Sequence, residues 1–374
     1  MITIKGTYNT ANVMIDEIDE TAKDQIQTFL NHPAFANTYI AIMPDVHAGK
    51  GAVIGFTMKT NGFIIPNVIG VDIGCGMLSA KFKKDSIDPA KLDAFIKTDI
   101  PSGFAINKNH NCVSKNQKNE IIDVCHRIKT DTDKALNAIG SLGGGNHFIE
   151  AGYDSKGNLW ITIHSGSRNF GLKIAVHYQK KAKDSLRKHC KQDYKRLDFL
   201  QEDSPECQAY LRDLFTAQRF AAANREEMLR RIISFIGKDP EEIIESVHNF
   251  IGTDNIIRKG ATPAHKGQKV IIPFNMRDGI AICEGKGSEK YNYSAPHGAG
   301  RILSRVQAKK QLSADDFRQQ MINAGIYTST ASKDTLDEAP GAYKDMKLIL
   351  DNIKETVEVI EMIKPVYNFK AGKE

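Results

Sequence analysis

The strongest constraint on this chain is a set of short glycine-rich blocks that carry chemically active side chains and lie far apart in the sequence. Five of the eleven histidines fall in Gly-, Asn- or Ser-rich turns: His47, His147, His164, His248 and His297. A local zinc finger would instead show closely spaced pairs of ligands. Active residues drawn from distant segments predict one enzyme site embedded in a large domain.

The block around His297 reads SAPHGAGR. Glycine lets a backbone approach a ligand closely, and the planar guanidinium of Arg301 suits a phosphate. A histidine in this setting can be a nucleophile toward phosphorus, a metal ligand or a general acid or base. Considered alone, the block is explained equally well by a structural histidine in a glycine turn.

The block VIGVDIGCGM begins as an apolar run, typical of a buried strand, and ends in glycines. Asp72 and Cys75 lie three residues apart in the predicted turn, so that a carboxylate and a thiolate can bind the same cation. Carboxylate favours Mn or Mg, whereas thiolate favours softer metals such as Zn, and the mixed pair therefore indicates Mn or Zn rather than Ca. The alternative is a buried free cysteine, which is common.

The blocks GGGNHFIE, ITIHSGSR and VHNF contain His147, His164 and His248. Three glycines before Asn146 allow backbone amides to face an anion or a metal-bound phosphate. The alternation of residues 160–163 predicts a strand, which places His164 at a strand end, where sites often form. Arg168 and the two serines before it offer donors to phosphate.

Together these blocks resemble the RtcB family of RNA ligases, often called tRNA-splicing ligases. The resemblance runs from Met43 to Lys370 and rests on the order and joint presence of MPDVHAGKGAVIGFT, VIGVDIGCGM, GGGNHFIE, HSGSRNFG, VHNF, RKGATPA and HGAGR. It implies an enzyme of RNA repair or tRNA splicing that joins a 2′,3′-cyclic phosphate or 3′-phosphate end to a 5′-hydroxyl end. The implied cofactors are GTP and one or two Mn²⁺ ions, and an archease-like protein is the candidate activating partner.

The resemblance also implies roles for individual residues. The implied manganese ligands are Asp72, Cys75, His147, His164 and His248, with Cys75 bridging two ions. The implied catalytic residue is His297, which becomes guanylylated. The implied nucleotide-binding residues are Asn146, Glu150, His297, Gly298, Ala299, Gly300, Arg301, Tyr343 and Lys370. Among them Glu150 and Lys370 are expected to contact guanine and Tyr343 to stack on it. The residues expected to contact the phosphate of the substrate are Arg168, Asn146 and Arg301.

The chain departs from the family pattern and resembles a divergent, shorter, bacterial-type member. Many members carry a Pro-Gly-Ser-Met-Gly loop ahead of the catalytic histidine, and we align that loop with residues 280–290, which read IAICEGKGSEK. Pro296 precedes His297 where a Ser- or Cys-type residue is more usual. The tail continues four residues past Lys370.

Composition and length predict a single catalytic domain spanning residues 1–374. No linker or repeat interrupts the chain, and a hydrophobic content of 41% supports a sizeable core. No run of eighteen apolar residues and no signal-peptide pattern occur, and six scattered cysteines favour a reducing cytoplasm over a membrane or secreted location. A net charge of +6 permits nucleic-acid binding without requiring it.

Periodicity predicts an α+β fold with mixed β-sheets surrounded by helices. We expect a helical hairpin insertion over residues 173–237 that covers one edge of the site. Its basic stretch is either a solvated helix face or a track for the RNA backbone. The expected helices are 18–30, 173–191, 205–237, 308–324 and 348–363, and the expected strands are 53–58, 77–82, 159–163 and 269–273. No Walker or dinucleotide motif precedes a helix.

Two other functions remain open at this stage. The same Asp, Cys and His set would serve a metal-dependent phosphoesterase that acts on RNA ends. A non-catalytic protein that binds RNA ends is disfavoured because every block of candidate ligands is intact. Covalent chemistry separates the first alternative from the ligase, since a hydrolase needs no guanylylated histidine.

Overall fold

Two large β-sheets and a surround of helices make up the computed structural model, which describes residues 1–108, 112–189, 194 and 196–372. Its α-helices are α1 (Glu20–Leu30), α2 (Pro66–Ile69), α3 (Pro89–Asp99), α4 (Lys115–Ile128), α5 (Thr132–Asn137), α6 (Arg168–His189), α7 (Pro205–Ile236), α8 (Arg305–Gln311), α9 (Ala314–Asn323) and α10 (Met346–Asn352). Among the described residues, every helix is too short or too polar to cross a membrane.

The strands alternate with these helices without a regular βαβ order, which confirms the predicted α+β class. They are β1 (Ile2–Lys5), β2 (Thr10–Val13), β3 (Ile40–His47), β4 (Ile54–Lys59), β5 (Phe63–Ile64), β6 (Gly76–Phe82), β7 (Phe148–Tyr153), β8 (Leu159–Ser165), β9 (Leu200–Gln201), β10 (Glu242–Val247), β11 (Asn249–Ile251), β12 (Ile256–Lys259), β13 (Ala261–Pro263), β14 (Lys269–Asn275), β15 (Gly279–Gly285), β16 (Ser294–Pro296) and β17 (Val357–Lys370).

The sheets are mostly antiparallel. One has the order β1-β2-β3-β4-β12-β11, with β2 and β3 parallel, and the other has the order β10-β6-β8-β7-β17-β15-β14. The second sheet curls until its edge strands β10 and β14 lie side by side, where the Ile271 N–H donates to Ser246 Oγ at 2.9 Å. The curl protects both edges from pairing with another chain and directs one end of the strands toward a common space.

Helices α6 and α7 pack against each other, and α7 also packs on β6 and β8. Ser204 caps α7 by accepting the Cys207 N–H, Pro205 occupies the first turn, and Gly237 ends the helix with a φ of 75°. Both predicted helices are present, although the first begins earlier, at Arg168. Its predicted end at Lys191 lies outside the described residues.

The predicted helix over residues 348–363 is wrong. Helix α10 ends at Asn352, and Val357 begins β17, a strand of fourteen residues between β7 and β15. The segment contains apolar residues at helical spacing, but it is also rich in β-branched residues, and Pro365 follows two residues after it. Pairing with two neighbouring strands therefore decides its conformation.

Smaller corrections concern helix ends. The predicted helix 308–324 is two helices, because Leu312 is extended and the Ser313 side chain caps α9 by accepting the Asp316 N–H. The apolar run at Val68 and Ile69 ends a short helix rather than a buried strand. The four predicted strands are confirmed, within two residues at each end, as β4, β6, β8 and β14.

Buried Arg225 ties α7 to the turns that carry the site. Its guanidinium donates to the carbonyl oxygens of Gly74 and Ser165, each at 2.8 Å, and to Glu245 at 2.7 Å. We expect Arg225→Met to lower the free energy of unfolding by roughly 3 kcal/mol, because two buried carbonyls lose their donor. Urea denaturation measures this change. The exposed Arg230 on the same helix is the control, and an equal loss for Arg230→Met would contradict the assignment.

Candidate active site

Strand register brings together side chains from four distant segments. Val247 on β10 pairs with Gly76 on β6, Gly76 pairs with Ser165 on β8, and Phe148 on β7 pairs with His164. Residues that flank these pairs must therefore meet at one end of the sheet. They are Cys75 before β6, His147 before β7, His164 near the end of β8 and His248 after β10.

The five predicted metal ligands form one buried cluster around Cys75. Its Sγ lies 3.3 Å from His164 Nε2 and 3.5 Å from His147 Nε2. His164 Nε2 lies 3.2 Å from His248 Nε2, and His147 Nε2 lies 3.0 Å from Asp72 Oδ2. The donor atoms form two overlapping sets, Asp72–Cys75–His147 and Cys75–His164–His248, each within 4.8 Å. Cys75 is common to both, as a ligand that bridges two ions would be.

The hydrogen bonds of the histidine rings fit a metal site. His147 Nδ1 lies 2.9 Å from the Leu142 carbonyl oxygen, and His164 Nδ1 lies 3.2 Å from that of Asn146. A carbonyl oxygen only accepts, so each Nδ1 carries hydrogen and Nε2 is the ring nitrogen that could bind a metal ion, which would displace any proton there. Two such ring nitrogens, a thiol and a carboxylate converge on one space. This donor set suits a divalent cation of the Mn or Zn kind.

Burial fixes the protonation of the cluster. It lowers the pKa of His164 and His248 well below the usual range, so that both rings are neutral. Burial, reinforced by the charge of Asp72, raises the pKa of the Cys75 thiol. Burial alone would raise the pKa of Asp72, but the hydrogen bond and charge of His147 outweigh it and lower that pKa. A metal ion bound here would displace the thiol proton.

Gly166 makes room for the Asp72 carboxylate. A Cβ at this position would lie 2.2 Å from Asp72 Oδ1. The same oxygen accepts the Ser167 N–H at 2.9 Å, so the carboxylate is held from one side and cannot move without losing that bond. The glycine of the HSGSR motif is therefore a steric requirement of the cluster.

We expect Gly166→Ala to weaken metal binding about 10- to 100-fold while the protein stays folded, because the new methyl group displaces Asp72. Titration of the metal-free protein with Mn²⁺, followed by calorimetry, measures the affinity. Gly372→Ala is the control, since a Cβ there makes only an ordinary contact, 3.7 Å from the Asp334 Cβ. Unchanged affinity in Gly166→Ala would remove Asp72 from the ligand set.

His297 lies beside the cluster and is oriented by Asp45, which is fully buried on β3. Asp45 Oδ2 lies 2.7 Å from His297 Nδ1 and also accepts the His297 backbone N–H at 3.2 Å. The ring of His297 is 4.6 Å from that of His248, centroid to centroid. A carboxylate at Nδ1 leaves the Nε2 lone pair free for nucleophilic attack.

A cavity of about 840 Å³ opens next to His297. Its volume suits a nucleotide-sized ligand. It is lined by all of the predicted nucleotide-binding residues, Asn146, Glu150, His297, Gly298, Ala299, Gly300, Arg301, Tyr343 and Lys370, and also by His164 of the cluster. The structure therefore brings the predicted nucleotide site and the predicted metal site together.

Glu338 joins four of the cavity's polar side chains. It accepts from Lys370 Nζ at 3.0 Å, from Arg305 at 2.6 Å, from Arg301 at 3.3 Å and from the Tyr343 hydroxyl. Burial alone would raise its pKa, but the charges of Lys370, Arg305 and Arg301 lower it to about 2. The Arg301 guanidinium covers one face of the Tyr343 ring at 5.1 Å. Any stacking of guanine on Tyr343 would therefore use the opposite face.

Sequence reasoning assigned no role to Asp45 or Glu338. Asp45 could have been recognised from its place in the MPDVHAG block, at the end of an apolar strand. Glu338 lies in an ordinary turn before the AYKD segment, and no sequence pattern marks it. Arg168 takes a different position from the other predicted phosphate contacts. It is buried, donates to the Gly103 carbonyl oxygen at 2.9 Å and does not line the cavity. Its phosphate role stays a prediction.

The alignment of residues 280–290 with the nucleotide loop is wrong. Those residues belong largely to β15, and none of them lines the cavity. Residues 273–276, in the turn between β14 and β15, line it instead. They read PFNM, which keeps the Pro and Met of the Pro-Gly-Ser-Met-Gly pattern at the same spacing, so the signal was present in the sequence.

Glu150 is a buried acid in the cavity wall. Burial raises its pKa to about 8, against the opposing effects of the Asn368 hydrogen bond and the Lys370 charge. Since the unfolded chain loses this proton near pH 4.5, the folded state holds it more tightly. Stability from this group is complete below pH 4.5 and is lost as pH rises toward about 8.

We therefore expect Glu150→Gln to remove a decline in stability between pH 5 and 8 that the wild type shows, by up to roughly 4 kcal/mol. Chemical denaturation at several pH values measures the difference. Glu358→Gln, an exposed position on β17, is the control and should keep the wild-type profile. Parallel profiles for wild type and Glu150→Gln would mean that Glu150 ionises normally.

The chain matches known proteins along nearly its whole length. A family model described as tRNA-splicing ligase RtcB matches residues 25–130 and 113–371. The chain is similar to the RNA-splicing ligases RtcB1 and RtcB of Escherichia coli, each 31% identical over 93% of this chain and 94% of the relative. It is 28% identical to a tRNA-splicing ligase RtcB of Nanoarchaeum equitans, over 89% of this chain and 87% of that protein. Matches along nearly the whole length, together with the cluster and cavity, show that the chain belongs to the RtcB family.

Proposed function

We propose that this protein is a GTP- and Mn²⁺-dependent RNA ligase. It joins RNA ends that carry a 2′,3′-cyclic phosphate or 3′-phosphate to 5′-hydroxyl ends through a guanylylated histidine, His297. Membership of the RtcB family and relatives named as RNA-splicing ligases support the reaction class. The observation that carries the proposal is the position of His297, held at Nδ1 by Asp45 and adjacent to His248 of the metal cluster.

The metal ligands are assigned as Asp72, Cys75, His147, His164 and His248. Their carboxylate, thiol and imidazole groups suit a divalent cation such as Mn²⁺. A divalent cation held there would neutralise phosphate charge and orient the triphosphate. All five residues of the cluster are assigned to the metal, whereas His297 lies next to the cluster and is not one of its ligands. The neighbouring Asp45 keeps the His297 ring in the tautomer that exposes Nε2.

His297 Nε2 attacks the α-phosphorus of GTP. The N–P bond forms as the bond between this phosphorus and the leaving oxygen breaks, and pyrophosphate departs with the electron pair. The RNA 3′-phosphate then takes GMP from His297, which regains its lone pair. Finally the 5′-hydroxyl attacks the activated RNA phosphorus, and GMP leaves. A cyclic phosphate must first be hydrolysed to the 3′-phosphate.

The cationic side of the cavity suits the phosphates of both substrates. Glu338 accepts from Arg301 and fixes its guanidinium, which lowers the entropy lost when a phosphate binds. Asn146 lines the cavity next to His147, so that it can contact phosphate and metal together. This combination of an oriented nucleophile and a cationic cavity favours ligation over the phosphoesterase alternative, which needs no nucleophilic histidine.

We expect His297→Ala to abolish covalent labelling by α-³²P-GTP and Mn²⁺ while metal affinity stays within about threefold of wild type. The bound label should be stable in base and lost in acid, as for a phosphoramidate. Denaturing electrophoresis measures the labelling. His265→Ala, a half-exposed histidine outside the cavity, is the control and should label normally.

In the same assay Asp45→Asn should slow labelling roughly 10²- to 10⁴-fold, because the ring loses the carboxylate that fixes its tautomer. Labelling that persists in His297→Ala would assign the nucleophile to another residue. Hydrolysis of RNA 3′-phosphates by the wild type without any covalent label would favour the phosphoesterase.

A further inference from the structure

Four side chains on two paired strands form one wall of the cavity. In the register of β7 and β17, Glu150 pairs with Asn368 and Phe148 pairs with Lys370. Because side chains alternate along a strand, these four project from the same face of the sheet. All four line the cavity next to His297. Lys370 Nζ lies 5.1 Å from the centre of the Phe148 ring, which holds the lysine against the wall.

Glu150 and Asn368 are almost completely buried, with 3% and 1% of their surfaces exposed. Asn368 Nδ2 donates to Glu150 Oε2 at 2.7 Å. The other two oxygens of the pair, Glu150 Oε1 and Asn368 Oδ1, are buried and accept no hydrogen bond from any described residue. A buried acceptor without a donor costs about 1–3 kcal/mol. Two such acceptors in a cavity wall indicate a ligand that carries two donors.

Guanine presents two adjacent donors, N1–H and the 2-amino group, beside the acceptor O6. Hypoxanthine has N1–H but no 2-amino group, and adenine has neither donor at these positions. Since Glu150 Oε2 already accepts from Asn368, the other oxygen of the ionised carboxylate remains for N1–H. A guanine bound there would therefore favour the ionised form and lower the pKa of Glu150 from the value of about 8 that burial gives it. The 2-amino group then requires a second acceptor on the same wall.

We propose that Asn368 is a specificity-determining residue, whose Oδ1 accepts a hydrogen bond from the 2-amino group of guanine while its Nδ2 holds Glu150 for N1–H. Lys370, two residues further along β17, is the matching donor for O6. Asn368 thus contacts the base directly and also positions the acid that contacts it. Asn368 and Glu150 together recognise the two hydrogen-bond donors that distinguish guanine from hypoxanthine and adenine.

This inference rests on the proposed function, because it assumes that the cavity binds a guanine nucleotide. The experiment measures the equilibrium binding of GMP, IMP and AMP to the full-length protein by calorimetry, in the presence of Mn²⁺. For the wild type we expect GMP to bind at least about tenfold more tightly than IMP, since a site built for a donor rejects the analogue that lacks it. Equal affinities for GMP and IMP in the wild type would overturn the role of Asn368 as an acceptor.

The variant Asn368→Leu removes both polar atoms and keeps the branching of the side chain at Cγ. We expect it to lower the affinity for GMP at least tenfold and to bring the ratio of GMP to IMP affinity close to one. Asn368→Asp keeps an acceptor oxygen but loses the donor to Glu150. It should weaken the binding of GMP and of IMP to a similar extent, because Glu150 is no longer held in place to accept from N1–H. The ratio is informative here, since a general structural defect would not change it selectively.

Asn158→Ala is the matched control. Asn158 is also buried and donates to a carboxylate, Asp154 Oδ2, at 2.8 Å, but it lies outside the cavity. Its ratio of GMP to IMP affinity should equal that of the wild type. If Asn368→Leu also keeps the wild-type ratio, the inference fails while the proposed function stands. If the wild type binds no GMP and is not labelled by GTP, the proposed function itself fails.

Discussion

The register of four antiparallel strands is the constraint on which the rest of the site depends. Four of the candidate metal ligands are far apart in the sequence: Cys75, His147, His164 and His248. They meet only because each lies at the end of a strand, and these strand ends share one edge of the curled sheet. A slip of one residue in any strand would turn its side chains to the opposite face. The buried helix α7, tied by Arg225 to two of these strand ends, opposes such a slip.

Two buried acids, Glu150 in the cavity wall and Glu338 behind the cavity's cationic side chains, have pKa values shifted in opposite directions, and their neighbours explain the difference. Glu338 is surrounded by three cations, which lower its pKa to about 2 and keep it ionised. Glu150 has only an amide and a more distant lysine, so burial dominates and raises its pKa to about 8. The cavity thus combines cationic side chains, suited to phosphate, with an uncharged hydrogen-bonding wall, suited to a base.

The proposed nucleophile, His297, and the candidate metal ligands are brought together by packing between the two large sheets. Asp45 reaches His297 from β3 of the other sheet, so that the pair lies where the two sheets meet. The metal cluster belongs to the curled sheet, whereas Asp45 and the β13–β16 ribbon before His297 belong to other layers. The contact between the rings of His248 and His297 therefore joins residues next to strands of different sheets, and packing of the core holds them together.

The sequence by itself determined the α+β class, the principal helices and the short blocks from which the site is built. Glycines near Asp, Cys and His mark positions where a larger side chain would collide, as a Cβ at position 166 would with Asp72. These glycines can be recognised in the sequence without knowledge of the fold. The resemblance of the blocks to the RtcB family then predicted which residues share a cavity, including Glu150 and Lys370.

The tertiary structure alone decided what depends on strand pairing. Apolar spacing predicted a helix over residues 348–363, and pairing with β15 and β7 makes the chain from Val357 to Lys370 a strand instead. That pairing places Asn368 beside Glu150, a contact that no local pattern encodes. Asp45 and Glu338 were missed for the same reason, since each acts on groups that are distant in sequence. Residue types and turns are local properties, whereas register, burial and shifted pKa values arise only from the packed chain.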